Sequence, residues 1–175
     1  MKNWTELENS SFFDANARER ALGMVDKGTF TEFLNPLDRY CSPHLPVLGT
    51  AVEFDDGTVC GVGLLGKHPV FVVSMEGKFI GGAICEVNGG KMVATIRLAL
   101  KAAADIKTKY PEEYAARRPL VAVSFETGGV RLHEANAGLL AHAEVMDAFQ
   151  DCRGIVPVAV SYTHLRAHET DSYLV

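Results

Sequence analysis

Cysteine is scarce and scattered. The 175 residues hold four, Cys41, Cys60, Cys85 and Cys152, with no CxxC pair among them. That spacing excludes a zinc ribbon. It also argues against a secreted disulfide scaffold at this length, and leaves buried free thiols as the plain reading. Long apolar runs are missing too. None approaches the roughly 20 residues that cross a bilayer, and Met1–Glu6 does not begin a signal-peptide core. The cytoplasm is the expected compartment, with no membrane contact. Basic charge is in deficit: 17 Lys and Arg against 22 Asp and Glu, net −5. No basic stripe is present, so a nucleic-acid partner is not expected. No Ser sits in a G-x-S-x-G setting, which removes the usual signal for a nucleophilic elbow. No metal site is expected.

What is present is an ordinary globular composition, 47% hydrophobic and 22% charged, long enough for one domain with a real core. Asp14 to Val25 reads as a helix capped by Asp14. Residues 35–46, with three prolines, read as a loop. Leu48–Phe54 alternates as a strand, Asp55-Asp56-Gly57 as a hairpin turn, and Thr58–Leu65 as the return strand. After Gly66-Lys67 comes His68–Ser74, whose run Val70-Phe71-Val72-Val73 suits a strand covered on both faces. A helix is expected over about 88–109, with Met92, Val93, Ile96, Leu100 and Ala103 inward. Leu120–Phe125 is the next strand. A helix over about 131–151 follows, its expected inward stripe being Leu132, Ala135, Leu139, His142, Ala143 and Met146. Ile155–Ala159 starts a last strand. Helices alternate with strands from residue 68 onward, which indicates an α/β fold.

The pattern breaks after Ala159. Val160 through Thr170 turns polar where a buried strand should continue, and the string resembles the translated read-through of a sequencing adapter. The expected organisation is therefore a partial domain over 1–159 and a non-native tail over 160–175. His164 and His168, four apart, then carry no metal-binding meaning.

The most informative stretch is Phe125 to Glu134. Two glycines, Gly128 and Gly129, stand where a buried strand ends and a helix is expected to begin. A helix start offers unpaired N–H groups and the positive end of the macrodipole, and glycine lets a ligand approach. Such a turn can hold an anion, or an oxyanion that develops in a reaction. Gly81 and Gly82 follow the earlier strand in the same way. Two such turns suggest acyl-thioester chemistry through an enolate. The plainer readings are a tight turn at Gly128-Gly129 and a close-packed backbone crossing at Gly81-Gly82. Arg131 could orient a carboxylate or a carrier phosphate, or simply pair with Glu134 or Glu126. Glu134 could join it or act as a helix-start carboxylate. Lys67, Lys78 and Lys91 could meet phosphates, or form a solvated face. His44, His68, His133 and His142 read as packed or surface histidines.

Four stretches together carry a family resemblance. They are Ala17–Arg20 through Gly28–Phe33, Val52–Gly57, Phe79–Ala83 and Phe125–Glu134. Residues 1–159 resemble the N-terminal part of the beta subunit of biotin-independent malonate decarboxylase. They are more distantly similar to the carboxyltransferase subunits of acetyl-CoA and propionyl-CoA carboxylases. Asn3–Leu7 and Gly138–Met146 favour the decarboxylase branch. The resemblance implies the N-terminal portion of a crotonase-like β-β-α superhelix (the ClpP/crotonase fold). It implies decarboxylation of a malonyl thioester on an acyl carrier protein, giving the acetyl thioester and carbon dioxide. Partners would be a homologous gamma subunit sharing the active site, an alpha transferase subunit and the acyl carrier protein. The cofactor, a phosphoribosyl-dephospho-CoA group, would arrive on that carrier. Gly81, Gly82, Gly128 and Gly129 match the family's glycine turns, so a catalytic oxyanion role is implied for them. Arg131 and Glu134 would serve substrate or carrier binding. The family continues past residue 159, so this chain alone is expected to be inactive. Two alternatives stand beside this reading. One is the carboxyltransferase subunit of a biotin-dependent acyl-CoA carboxylase, although the four-Cys zinc ribbon of the bacterial acetyl-CoA type is absent. The other is a non-catalytic scaffold subunit.

Overall fold

A computed structural model describes residues 11–49 and 57–162. The sheet is mixed and five-stranded, in the order β1-β2-β3-β4-β5. The first helix, α1, is Ala17–Gly23. Its cap is Asn16 rather than Asp14, because Asn16 and Glu19 exchange side-chain to backbone hydrogen bonds in a capping box. Strand β1, Thr31–Leu34, had no alternating signal of its own. It is nonetheless the antiparallel neighbour of β2, with a register break between Glu32 and Leu34. The expected loop over 35–46 contains a 3₁₀ turn at Pro36–Asp38 and a short helix, α2, at His44–Val47. Leu48 and Gly49 form a turn after α2, not the start of a strand. The rest of that expected strand, and the Asp55-Asp56 turn, lie outside the described residues.

From there through β4 the expectations hold closely, whereas the last helix and the last strand begin later than expected, at Asn136 and Val158. β2 is Thr58–Leu65 and β3 is His68–Met75, an antiparallel hairpin in which Leu65 faces His68 across a two-residue turn. Helix α3, Glu86–Lys109, crosses to β4, Leu120–Phe125, which lies parallel to β3. A one-turn helix, α4, at Tyr114–Arg117 lies between them. Helix α5, Asn136–Asp151, crosses to β5, Val158–Tyr162, parallel to β4. β5 therefore runs three residues past the expected domain boundary after residue 159. There it is largely exposed, with Val160 45% and Tyr162 55% accessible. Tyr162 stacks on Phe125 with ring centroids 5.7 Å apart.

Helices α3 and α5 cover one face. Met92, Val93, Ile96 and Ala99 of α3 meet Phe71, Val73, Val121 and Val123 of the sheet. The inward stripe of α5 differs from expectation. Gly138, Ala141, Val145, Ala148 and Cys152 face in, whereas Leu132, Leu139 and Met146 are exposed. The reason is the crossing with α3. A Cβ placed on Gly89 would lie 2.7 Å from the Cβ of Ala141, so only small residues fit where the helices touch. The opposite face carries α1, with Ala17 and Ala21 on Val59, Val70 and Val72.

Candidate functional site

The two glycine turns leave the carboxyl ends of neighbouring parallel strands, β3 and β4. The fold joins them. Gly128 N–H donates to Gly81 O at 2.8 Å, Ile84 N–H to Gly129 O at 2.7 Å, and Arg131 N–H to Ile84 O at 2.7 Å. Ile84 and Val130 form a parallel bridge. Crevices outside the carboxyl ends of parallel strands are where ligands bind in open α/β sheets.

This stitching corrects one expectation. Gly128 and Gly129 do not open an α-helix. Val130 and Arg131 stay extended to pair with Ile84, a 3₁₀ turn spans Leu132–Glu134, and α5 begins only at Asn136. The helix dipole is thus five residues or more from the glycines. The four glycines also differ in their engagement. The Gly128 N–H is held by a backbone carbonyl. The Gly129 N–H donates to a side chain, Thr127 Oγ1, at 3.2 Å, a contact that a change of the Thr127 χ1 rotamer releases. Gly82 sits at a close crossing: a Cβ there would lie 1.8 Å from Glu126 O, and its φ is +64°. Its N–H donates to Phe79 O at 2.9 Å, and Gly81 supplies the carbonyl that receives Gly128.

Glu126, the residue before this turn, is pinned from two sides. It accepts a hydrogen bond from the fully buried Arg20 guanidinium and another from Gly77 N–H at 2.9 Å. Arg20 also donates to Met75 O at 2.6 Å and Ala15 O at 2.5 Å. One buried cation therefore ties α1, the end of β3 and the end of β4 together. Sequence reading passed over Arg20, because an arginine in an amphipathic helix has no local mark of burial.

Arg131 and Glu134 come together, but inside. Their charged groups face each other at 3.6 Å, with side chains 3% and 1% exposed. Glu134 Oε2 also accepts the Glu86 N–H at 2.7 Å, so it caps the start of α3, the neighbouring helix. A carboxylate there is favoured by the helix dipole. The pair braces the turn and does not present charge to a carrier. Lys91 is likewise buried and donates to Asn35 O at 3.0 Å.

A cluster of which only His44 was noted in the sequence, as a packed or surface histidine, lies beside this turn. Glu86 accepts from Ser42 Oγ and from His44 Nδ1, the latter at 2.7 Å. Ser42 is 2% exposed. Burial pushes the Glu86 carboxyl up, but the bonds from Ser42 and His44 outweigh it and hold it below the usual carboxylate range. Among the described residues no group of three or more His, Cys, Asp or Glu is placed to hold a metal ion. No helix among them is long and apolar enough to cross a membrane.

No family model matches the sequence. The chain is similar to the malonyl-S-ACP:biotin-protein carboxyltransferase of Malonomonas rubra, at 61% identity over 158 residues, which are 90% of this chain and 50% of that protein. A crystal structure of a Pseudomonas malonate decarboxylase hetero-tetramer in complex with malonate contains a chain 36% identical. It matches with a TM-score of 0.70 over 90% of this chain and 54% of that one. The propionyl-CoA carboxylase beta chain of Saccharopolyspora erythraea is more distant, 29% identical over 81% of this chain and 23% of its own length. The chain thus spans about half the length of the first two relatives. The fold is the crotonase-like α/β fold, and by this sequence identity and this superposition the chain belongs to the carboxyltransferase family that includes the malonate decarboxylase subunits.

Proposed function

We propose that this chain forms part of an enzyme that removes the carboxyl group of a malonyl thioester carried on an acyl carrier protein, through an enolate. The C–C bond to the carboxylate breaks, its electron pair moves into the enolate, and negative charge settles on the thioester oxygen. Carbon dioxide leaves, and the carbon then takes a proton to give the acetyl thioester. Backbone donors aimed at that oxygen lower the barrier. The observation that carries this reading is the joined pair of glycine turns at the carboxyl ends of β3 and β4, with the Gly129 N–H held by the Thr127 side chain and not by a backbone carbonyl. Gly129 is the donor we assign. Gly81, Gly82 and Gly128 shape the turn that presents it, and Arg131 with Glu134 keeps that turn in place.

The carrier's phosphoribosyl-dephospho-CoA arm enters as substrate, not as a resident group of this chain. A gamma subunit completing the site is supported by exposed Val47, Leu132, Leu139 and Leu140 on neighbouring elements. An alpha subunit that loads the carrier completes the cycle. A second reading is favoured by the name of the 61% identical relative, which makes a biotin protein the carboxyl acceptor. The same bond breaks and the same enolate forms, but the carboxyl group ends on biotin.

The test uses the assembled complex and a malonyl thioester. Replacing the Gly128–Gly129 amide by an ester deletes the N–H and leaves the backbone path. Turnover should fall on the order of 10²–10³-fold. Proline is unsuitable, since Gly129 has φ +119° and proline locks φ near −65°. Unchanged turnover in an ester variant that elutes as the intact complex would remove Gly129 from the site. Loss of activity on adding avidin selects the biotin acceptor, and resistance selects direct release of carbon dioxide.

A further inference from the structure

The enolate needs a proton, and no glycine turn can supply one. We propose that His44 is the acid that protonates the enolate carbon, with Glu86 as the residue that positions it; this rests on the reading above. Four observations support the assignment. Glu86 is two residues beyond Ile84, whose backbone is bonded to Gly129 and Arg131 on the second glycine turn. The α2 helix that begins at His44 packs beside the Leu132–Glu134 turn that continues from it. A carboxylate only accepts hydrogen bonds, so the 2.7 Å contact to Glu86 requires the proton on His44 Nδ1. That fixes the ring and leaves Nε2 as the nitrogen that exchanges protons. Finally, the side chain is 54% exposed, so it reaches solvent for reprotonation.

Glu86 is itself held rigidly. Buried Ser42 donates to it, and its own N–H is fixed by Glu134. The ring, its carboxylate and the glycine turn are therefore one hydrogen-bonded unit. In the step itself, the Nε2–H bond of the imidazolium breaks as the C–H bond of the acetyl methyl forms. Neutral His44 remains, keeping its Nδ1 proton toward Glu86, and it regains a proton from water. A carboxylate partner that orients an imidazole and stabilises its charged form is a recurring arrangement in acid–base catalysis.

The test uses the complete assembled enzyme. Turnover of a malonyl thioester is measured first. Next, exchange of the methyl hydrogens of acetyl-N-acetylcysteamine with deuterium is followed by NMR, because the same acid and base must run that step in reverse. His44→Gln should lower both rates by about 10²-fold, at the low end of general acid–base effects, and imidazole added to His44→Ala should restore part of the exchange. Glu86→Gln should lower exchange less than His44→Gln does. An active parent whose His44→Gln variant exchanges and turns over within about twofold overturns the role of His44 alone. A parent complex that removes no carboxyl group overturns the functional reading and this role with it.

Discussion

The two faces of the sheet are held by different means. On one, α3 and α5 lay a continuous apolar stripe over β2, β3 and β4, and Ile96 and Ala99 are wholly buried. On the other, α1 spans seven residues and covers only part of the sheet. Beyond it, among the described residues, lies an apolar groove of about 350 Å³ lined by Met24, Val70, Leu120, Ala122, Ala159 and Ser161. Area holds the first face. On the second, a smaller apolar cluster is joined by a buried arginine, Arg20, which by fixing Glu126 also sets the position of the glycine turn. The covered face therefore stabilises the fold, while the sparse face connects the fold to the candidate site.

That contrast can be broken from either side. The largest effect is expected at the pin. Arg20→Met leaves Glu126 inside without its cation, and removing one partner of a buried pair costs about 3–5 kcal/mol. Urea unfolding should show that loss, and hydrogen exchange should show the 126–131 turn opening. A loss of less than about 1 kcal/mol would mean that α1 is held by its apolar residues after all. On the opposite face, Ile96→Ala should cost about 2–5 kcal/mol through lost burial and the remaining cavity. It should leave exchange at the glycine turn as protected, relative to global stability, as in the parent.

Acid should distinguish the faces in a different way. The Glu86 carboxyl titrates below its ordinary range in the folded chain. A depressed folded value means the stabilisation is fully present above the unfolded carboxylate range and is lost as pH falls through the folded value. The first turn of α3 should therefore loosen on acidification below the ordinary carboxylate range, and Glu86→Gln should remove that dependence. NMR titration of the Glu86 side chain checks the direction; a midpoint above the ordinary value would contradict it. The smallest effect is expected on the outer side of α5. Leu140, 65% exposed, should tolerate serine within about 0.5 kcal/mol. Weakened association with a partner subunit, measured by sedimentation, would mark this side as an interface, and unchanged association would remove it from one.

Much of this was legible along the chain. Strands β2 and β4 match their expected bounds because short, mostly apolar stretches between turn signals leave little choice. The α3 stripe was legible for the same kind of reason, since Met92, Val93 and Ile96 repeat at helical spacing with enough bulk to be noticed. The α5 stripe was not. Its inward residues, Gly138, Ala141 and Ala148, are small, and a reading weighted by bulk chose the leucines that the structure leaves outside. How closely α5 approaches α3 is a property of two helices together.

The candidate site divides along the same line. The local sequence determined that two glycine pairs end two buried strands, since that depends on neighbours in the chain. Only the tertiary structure decided that the turns are bonded to each other, that Arg131 and Glu134 are buried as a brace, and that Ser42 and His44 meet Glu86, more than 40 positions along the chain. Hydrogen bonds are short-ranged and directional. Which donor meets which acceptor across such separations is settled when the parallel strands bring their carboxyl ends together, and no local pattern encodes it.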